Sequence, residues 1–381
     1  MAHPAVIVGW ARSAVAPHGG ALRHLTPHAL GAPVLQALLA RSGVPAGAVD
    51  AVVLGNALGA GGNPARMVAL AAGLPDRCAA LTVDTQCCAG LDAVSLGVGL
   101  LAAGQAEVVV AGGVEAWSRA PIRQHRPLTA DEPPVPYERP AFAPDPARDP
   151  DLLEAAARHA LAQQVTRAEQ DAYAMHSHAR ARDHAAGLPG EIVPVAGLAC
   201  DAHPRALTLA RAARMPVVAE VGDAAFALSP LAISPRADGC GLVLLATPAA
   251  CRRLGLTARA AWRAGVSIGA EPEMPLRAAA LAAQTALARL ALDKRLLAAI
   301  ELHDAFAVQG LDFRAALGVD DGVLNRRGGG LARGHPIGAS AAIALVRLLT
   351  DLAHDHTPGA LGLAAVAGAG GLGAAAVVER L

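Results

Sequence analysis

Residues 81–113 read LTVDTQCCAGLDAVSLGVGLLAAGQAEVVVAGG, and their order decides the fold. A β-type run, LTVDT, leads into a loop that carries two adjacent thiols. Ala, Leu and Gly then predict a helix from about Cys88 to Ala103, and EVVVAGG (Glu107–Gly113) predicts a buried strand ending in glycines. A second stretch repeats this layout. GHPIGAS opens a helix from about Gly338 to Leu352, and GLAAVAGAGG (Gly362–Gly371) follows as a strand. Each copy has a loop with a reactive side chain, an apolar helix and a strand closed by glycines, which reads as the internal duplication of one α/β unit. Upstream, a strand at Val6–Ala11, a helix from about Thr26 to Ser42 and a strand at Ala51–Leu54 precede the Gly-rich loop GNALGAGGNPAR. This βαβ rhythm predicts a sheet with parallel strands, covered by helices.

Between the copies the composition changes. Arg126–Asp151 holds eight prolines, which lack an amide donor and disfavour helix before them, so an extended loop is expected. A helix over Leu152–Gln164 follows. Thr166 and Glu169 then fit a capping box that opens a helix running to about Ala186, with GLPG as its stop. This polar, His- and Arg-rich part reads as an inserted lobe lying over a site formed by the halves.

The chain has 381 residues, 54% hydrophobic but only 2% aromatic, so its core is built from Ala, Val and Leu and its layers approach closely. Gly, Pro or charge breaks every apolar run before it reaches bilayer length, so no membrane span is expected. The opening MAHPAVIVGWARS shows no basic segment followed by a long apolar stretch, which argues against secretion and for the cytoplasm. Lys+Arg and Asp+Glu both total 32, and this neutrality supplies no attraction to nucleic acid or anionic membranes. The six cysteines are too sparse for a disulfide scaffold and form no C-x-x-C pair, and no metal-ligand spacing occurs. No dinucleotide or P-loop fingerprint follows the first strand.

Cys87 stands where a strand meets a helix N-terminus. There the free amides and helix dipole favour a thiolate, and Ala89 and Gly90 leave room for a substrate. The alternative is a pair of buried core thiols. His335, in GGGLARGHPIGAS, is either the base that takes a thiol proton or a capping histidine. His303, in AIELHDAFA, stands near a strand end, where α/β sites form, or is a hydrogen-bonded structural histidine.

Together these motifs resemble the thiolase family. DTQCCAGLDAV resembles its nucleophile segment, LGNALGAGGNPAR and AGGVEAWSRAP two further stretches, and TRAEQDAYAMHSHARA a helix of its loop domain. IELHDAFA resembles its NEAF-type segment and NRRGGGLARGHPIGAS its GHP segment, in the family's order over nearly the whole chain. The resemblance implies a duplicated thiolase fold in five layers, αβαβα. Residues 1–118 would form the N-terminal half, completed by about 235–255, with an inserted loop domain over 119–234 and a C-terminal half over 256–381. It implies a homodimer or homotetramer with coenzyme A as substrate and no further cofactor. Cys87 would be the acylated nucleophile, His335 its base and His303 the oxyanion-side residue, as in the sterol-carrier type of thiolase. Gly370 would offer a backbone contact to the acyl-cysteine, and Ser234 would contact the pantetheine. The chain departs from the family at its second catalytic cysteine. Ala367 stands where the C-terminal loop usually carries it, and Ala305 where the sterol-carrier type does. His303, Cys88 or Cys240 then takes that role, or the enzyme transfers acyl groups without ordinary Claisen chemistry, or it is a silent acyl-CoA-binding subunit.

Overall fold

The computed structural model describes residues 5–59, 61–187 and 190–381. The first half runs β1 (Val6–Ser13), α1 (Pro27–Ser42), β2 (Ala51–Gly55), α2 (Pro64–Ala71), β3 (Ala79–Val83), α3 (Ala89–Ala102) and β4 (Val108–Ala116). Thr26 caps α1 by accepting from the Ala29 amide, Pro27 fits the first turn, and Gly43 ends the helix in a left-handed conformation. After an inserted segment with α4 (Leu152–Ala162) and α5 (Arg167–Asp183), β5 (Ala237–Ala246) returns to the first half. The second half runs β6 (Ala260–Gly269), α6 (Ala278–Arg289), β7 (Leu297–His303), α7 (Ala307–Leu317), α8 (Ile337–Asp355), β8 (Leu361–Gly368) and β9 (Leu372–Arg380).

The strand order is β3-β2-β4-β5-β1 and then β6-β9-β8-β7. β2 is parallel to β3 and β4, and β7 is parallel to β8; the other pairs are antiparallel. The run β2-β4-β5-β1 is thus matched by β7-β8-β9-β6, and the duplication read from two loops extends to the topology. The counterpart of β3 shrinks to an isolated parallel bridge between Ile300 and Leu324. The two sheets join where Val6 and Ile7 pair with Ala261 and Ala260.

Side-chain alternation along the strands creates the layers. Val52, Leu54, Val108, Val110, Leu242 and Leu244 pack with Leu30, Leu35 and Val68 of α1 and α2. Their neighbours Val53, Val109, Val243 and Leu245 face the opposite way, onto Leu91 and Val94 of α3 and Leu345 and Leu349 of α8. Val366, Ala374 and Ala376 of the second sheet close that layer from the far side. Leu363, Ala365 and Val377 then pack against the alanines of α6 and Phe313 of α7. The result is α, β, α, β, α.

Arg347 and Asp351 interrupt the apolar run of α8, as expected of every long apolar stretch in the chain. α8 is long and apolar enough to cross a membrane by length and composition, but 83% of its apolar window is buried between the two sheets. Its close fit depends on glycine. A Cβ on Gly113 would lie 2.1 Å from the carbonyl oxygen of Gly338. Gly113→Ala is therefore expected to destabilise the protein by about 1–3 kcal/mol, read as a lower denaturant midpoint.

In the inserted segment the capping box forms as expected, with both Thr166 and Glu169 bonds present. The stop GLPG is described only in part, because residues 188 and 189 lie outside the described residues. The proline-rich loop is extended apart from a two-residue ribbon, Gln124–His125 with Val135–Pro136, and a 3-10 turn, Pro146–Arg148. The segment is tied down by Glu191, which is fully buried and ion-paired with Arg12 of β1 and Arg347 of α8. Arg12 also binds Asp201 at 2.7 Å, and Arg347 binds Asp351 at 2.8 Å. Burial opposes the charge on Glu191, but Arg347 and Arg12 outweigh it and hold the carboxyl below its ordinary value.

Candidate active site

The duplication brings the starts of α3 and α8 together, and with them the two reactive loops. β3 ends at Val83, a single 3-10 turn spans Gln86–Cys88, and α3 begins at Ala89. Gln86 adopts a left-handed φ of 54°, unusual for a residue with a side chain. Asp84 Oδ1 steadies it by accepting from the Gln86 amide and side-chain Nε2, both at 3.0 Å. This turn presents Cys87, whose Sγ lies 3.1 Å from His335 Nε2.

Ser340 settles the direction of that bond. Its hydroxyl donates its one proton to the Pro336 carbonyl at 3.0 Å, so toward His335 Nδ1, 2.7 Å away, it accepts. The imidazole proton is therefore on Nδ1, and Nε2 offers its lone pair to the thiol. Burial holds His335 down to about 4, so the ring is neutral around pH 7. The thiol is neutral as well. Burial pushes Cys87 up to about 12, against a smaller opposing effect of the Ala369 and Cys87 amides. The expectation that the helix start favours a resting thiolate is thus overturned, because desolvation outweighs those amide donors.

His303 lies beside this pair, its ring centroid 4.4 Å from that of His335 at an interplanar angle of 30°. Among the described residues its buried Nε2 has no hydrogen-bond partner. Burial, then His335 and Arg333, hold it well below its ordinary value. The two amides directed at the sulfur belong to Ala369 and Cys87. The backbone contact assigned to Gly370 thus falls one residue earlier; Gly370 itself takes a left-handed φ of 76° beside the Phe142 backbone. Ser234 is buried, donating its hydroxyl to the Gly330 carbonyl at 2.7 Å. It lines a cavity of about 550 Å³ together with Gln86, Phe306, Ile337 and His335.

Sequence reasoning missed Glu115. Its carboxylate accepts from Asn56 Nδ2 at 2.8 Å, the Ala57 amide at 2.9 Å and the Gly338 amide at 3.0 Å, joining the Gly-rich loop to the start of α8 behind His335. Burial pushes it up to about 7 against those amides. Its signal was present in AGGVEAWSRAP, as the one charge in an otherwise apolar strand. Of the alternative thiols, Cys240 packs in the layer with α1 and α2, on the far side of the sheet from Cys87. Cys88 Sγ turns beneath the end of β8, 4.0 Å from the Val366 carbonyl.

A thiol, a neutral imidazole and two backbone amides thus meet at the junction of a duplicated α/β fold. The chain belongs to the thiolase family: residues 5–230 match the thiolase N-terminal domain and residues 256–380 the thiolase C-terminal domain. It is 32% identical over 388 residues, 99% of each chain, to VraB of Staphylococcus aureus, which bears the name of an acetyl-CoA C-acetyltransferase. Its structure is similar to that of the Bacillus anthracis acetyl-CoA acetyltransferase, with a TM-score of 0.91, 30% identity and coverage of 100% and 99%. It also resembles the Acat5 thiolase of Ascaris suum in complex with coenzyme A, with a TM-score of 0.89, 27% identity and coverage of 99% and 100%. The protein is a thiolase-type acyltransferase.

Proposed function

We propose that this chain moves acyl groups between coenzyme A and a carbon nucleophile through a thioester on Cys87. The observation that carries the reading is the wired pair, Cys87 Sγ at 3.1 Å from a His335 Nε2 that bears no proton. Acyl-CoA enters the cavity lined by Ser234 and His335. As the sulfur attacks the thioester carbon, Nε2 takes its proton, and the Cys87 and Ala369 amides receive the developing oxyanion. His335 then returns the proton to the departing coenzyme A thiolate. The Nε2 of His303, buried with no partner among the described residues, is assigned to the second carbonyl, that of the incoming thioester.

The proposal includes a homo-oligomer working in the cytoplasm, in fatty acid metabolism. An oligomer is supported by β3, whose outer edge has no neighbouring strand among the described residues, and by the exposed Met67, Leu70, Leu81 and Leu96.

The test is to mix the protein with acetyl-CoA and longer acyl-CoAs and weigh it intact. One acyl group per chain is expected, on the peptide that contains Cys87; no adduct with any acyl-CoA sinks the reading. The pH dependence is a second check. Acylation needs neutral His335, so its rate is expected to stay level near pH 7 and to fall as the pH drops through about 4. A limb centred near 6.5 instead would show that the imidazole is not held neutral by burial.

A further inference from the structure

We infer that the second substrate is a malonyl-type thioester, one with a carboxylate on its α-carbon, and that the carbon nucleophile arises by loss of carbon dioxide. This rests on the Cys87 thioester proposed above. Making the same carbanion from acetyl-CoA requires a base at the α-carbon, and the described residues around the site offer no suitable one: Glu138 and Asp151, the acids that line the cavity, are both exposed to solvent, and Asp151 caps α4. Positions 305 and 367 are alanine. Cys240 belongs to another layer. Cys88 is 1% exposed, and its sulfur faces the backbone at 366–368. His335 gives its Nδ1 proton to Ser340, and once Cys87 is acylated its freed Nε2 belongs to a ring that burial holds down to about 4, too weak a base for a thioester α-proton. Glu115 is occupied by Asn56, Ala57 and Gly338. Asp304 turns away from the thiol pair, binding the Tyr173 hydroxyl at 3.0 Å and the Leu331 amide at 3.3 Å.

That leaves His303. Buried among neutral and cationic neighbours, it is a weak base for so weak an acid as a thioester α-proton, but its unpartnered Nε2 suits a different task. A buried polar atom without a partner is costly, and a ligand oxygen relieves that cost. In the neighbouring cavity Phe306 and Ile233, bridged to each other, form an apolar wall with Ile337, and Arg123, Arg139 and Arg236 line the same space. Those cations can hold the carboxylate of the incoming thioester, and the charge of the enolate left after its loss is spread over the thioester and received by the imidazole.

The step balances as follows. The bond between the α-carbon and the carboxylate breaks, carbon dioxide leaves, and the electron pair becomes the enolate. Its α-carbon attacks the carbonyl carbon of acyl-Cys87, the new carbon–carbon bond forms and the carbon–sulfur bond breaks. One proton from water, passed through His335, restores the thiol. The product is a 3-ketoacyl-CoA.

The experiment primes the enzyme with an acyl-CoA, confirms the adduct by intact mass, and adds malonyl-CoA labelled in its free carboxylate. Labelled carbon dioxide and 3-ketoacyl-CoA are expected in equal amounts, at least ~10²-fold faster than condensation with acetyl-CoA, the lower end of what a lost general base costs. Acetyl-CoA is expected to keep its α-protons in heavy water. Equal rates with acetyl-CoA, or exchange of those α-protons, overturn the inference. An acylated enzyme that leaves malonyl-CoA intact overturns it while leaving the Cys87 thioester standing. Absence of any adduct overturns both.

Discussion

Cys87→Ala is expected to lower acyl exchange between acyl-CoA and free coenzyme A on the order of 10⁶-fold, the scale seen when a covalent nucleophile is removed. Among the described residues no neighbouring thiol can replace it. Cys88 is turned under β8, and Cys240 lies across the sheet. The fold should survive, because the change removes one small buried atom and leaves the Gln86–Cys88 turn intact. Circular dichroism and melting temperature close to wild type would separate lost chemistry from lost structure. A variant that still formed an acyl adduct would mean the thioester is carried elsewhere. His335→Ala is a milder lesion, because the two amides facing the sulfur remain.

Glu191→Ala is expected to cost about 3–5 kcal/mol of stability, because it leaves Arg12 and Arg347 buried with part of their compensation gone. Asp201 and Asp351 still serve the outer nitrogens of the two guanidinium groups, which keeps the loss from being larger. The measurement is the urea midpoint at fixed slope. A change below about 1 kcal/mol, the ceiling for an exposed pair, would show that the network is solvated in practice. Since Glu191 belongs to the inserted segment and its partners to the two halves, the same variant should loosen the lobe that carries α4 and α5.

The chemistry of the site was easier to read from the chain than its electrostatics. Cys87 and His335 are 248 positions apart, yet each precedes an apolar helix, and duplication implies that those helices meet. That logic needs only pattern. The protonation state of the thiol was misread because a helix start is visible in sequence and full desolvation is not. The Gly370 contact slipped by one residue because the turn after β8 places glycines 370 and 371 in left-handed conformations, and only coordinates show that the Ala369 amide points at the sulfur. Glu115 and Glu191 escaped for a shared reason. Each is defined by partners far away in the chain, and a lone acid in an apolar strand does not say which amides or arginines will claim it. The isolated bridge at Leu324 was equally hidden, since a one-residue remnant of a strand leaves no period to detect.

α8 also dictates the order in which the molecule can be assembled. It supplies half of the middle layer, so a chain emerging from the ribosome exposes the inner faces of β2, β4 and β5 until residue 355 has been made. α3 alone cannot cover them. The halves are therefore not two proteins joined by a linker. They become stable only when the last third of the polypeptide arrives, and a nascent chain must shelter an oily groove for most of its synthesis.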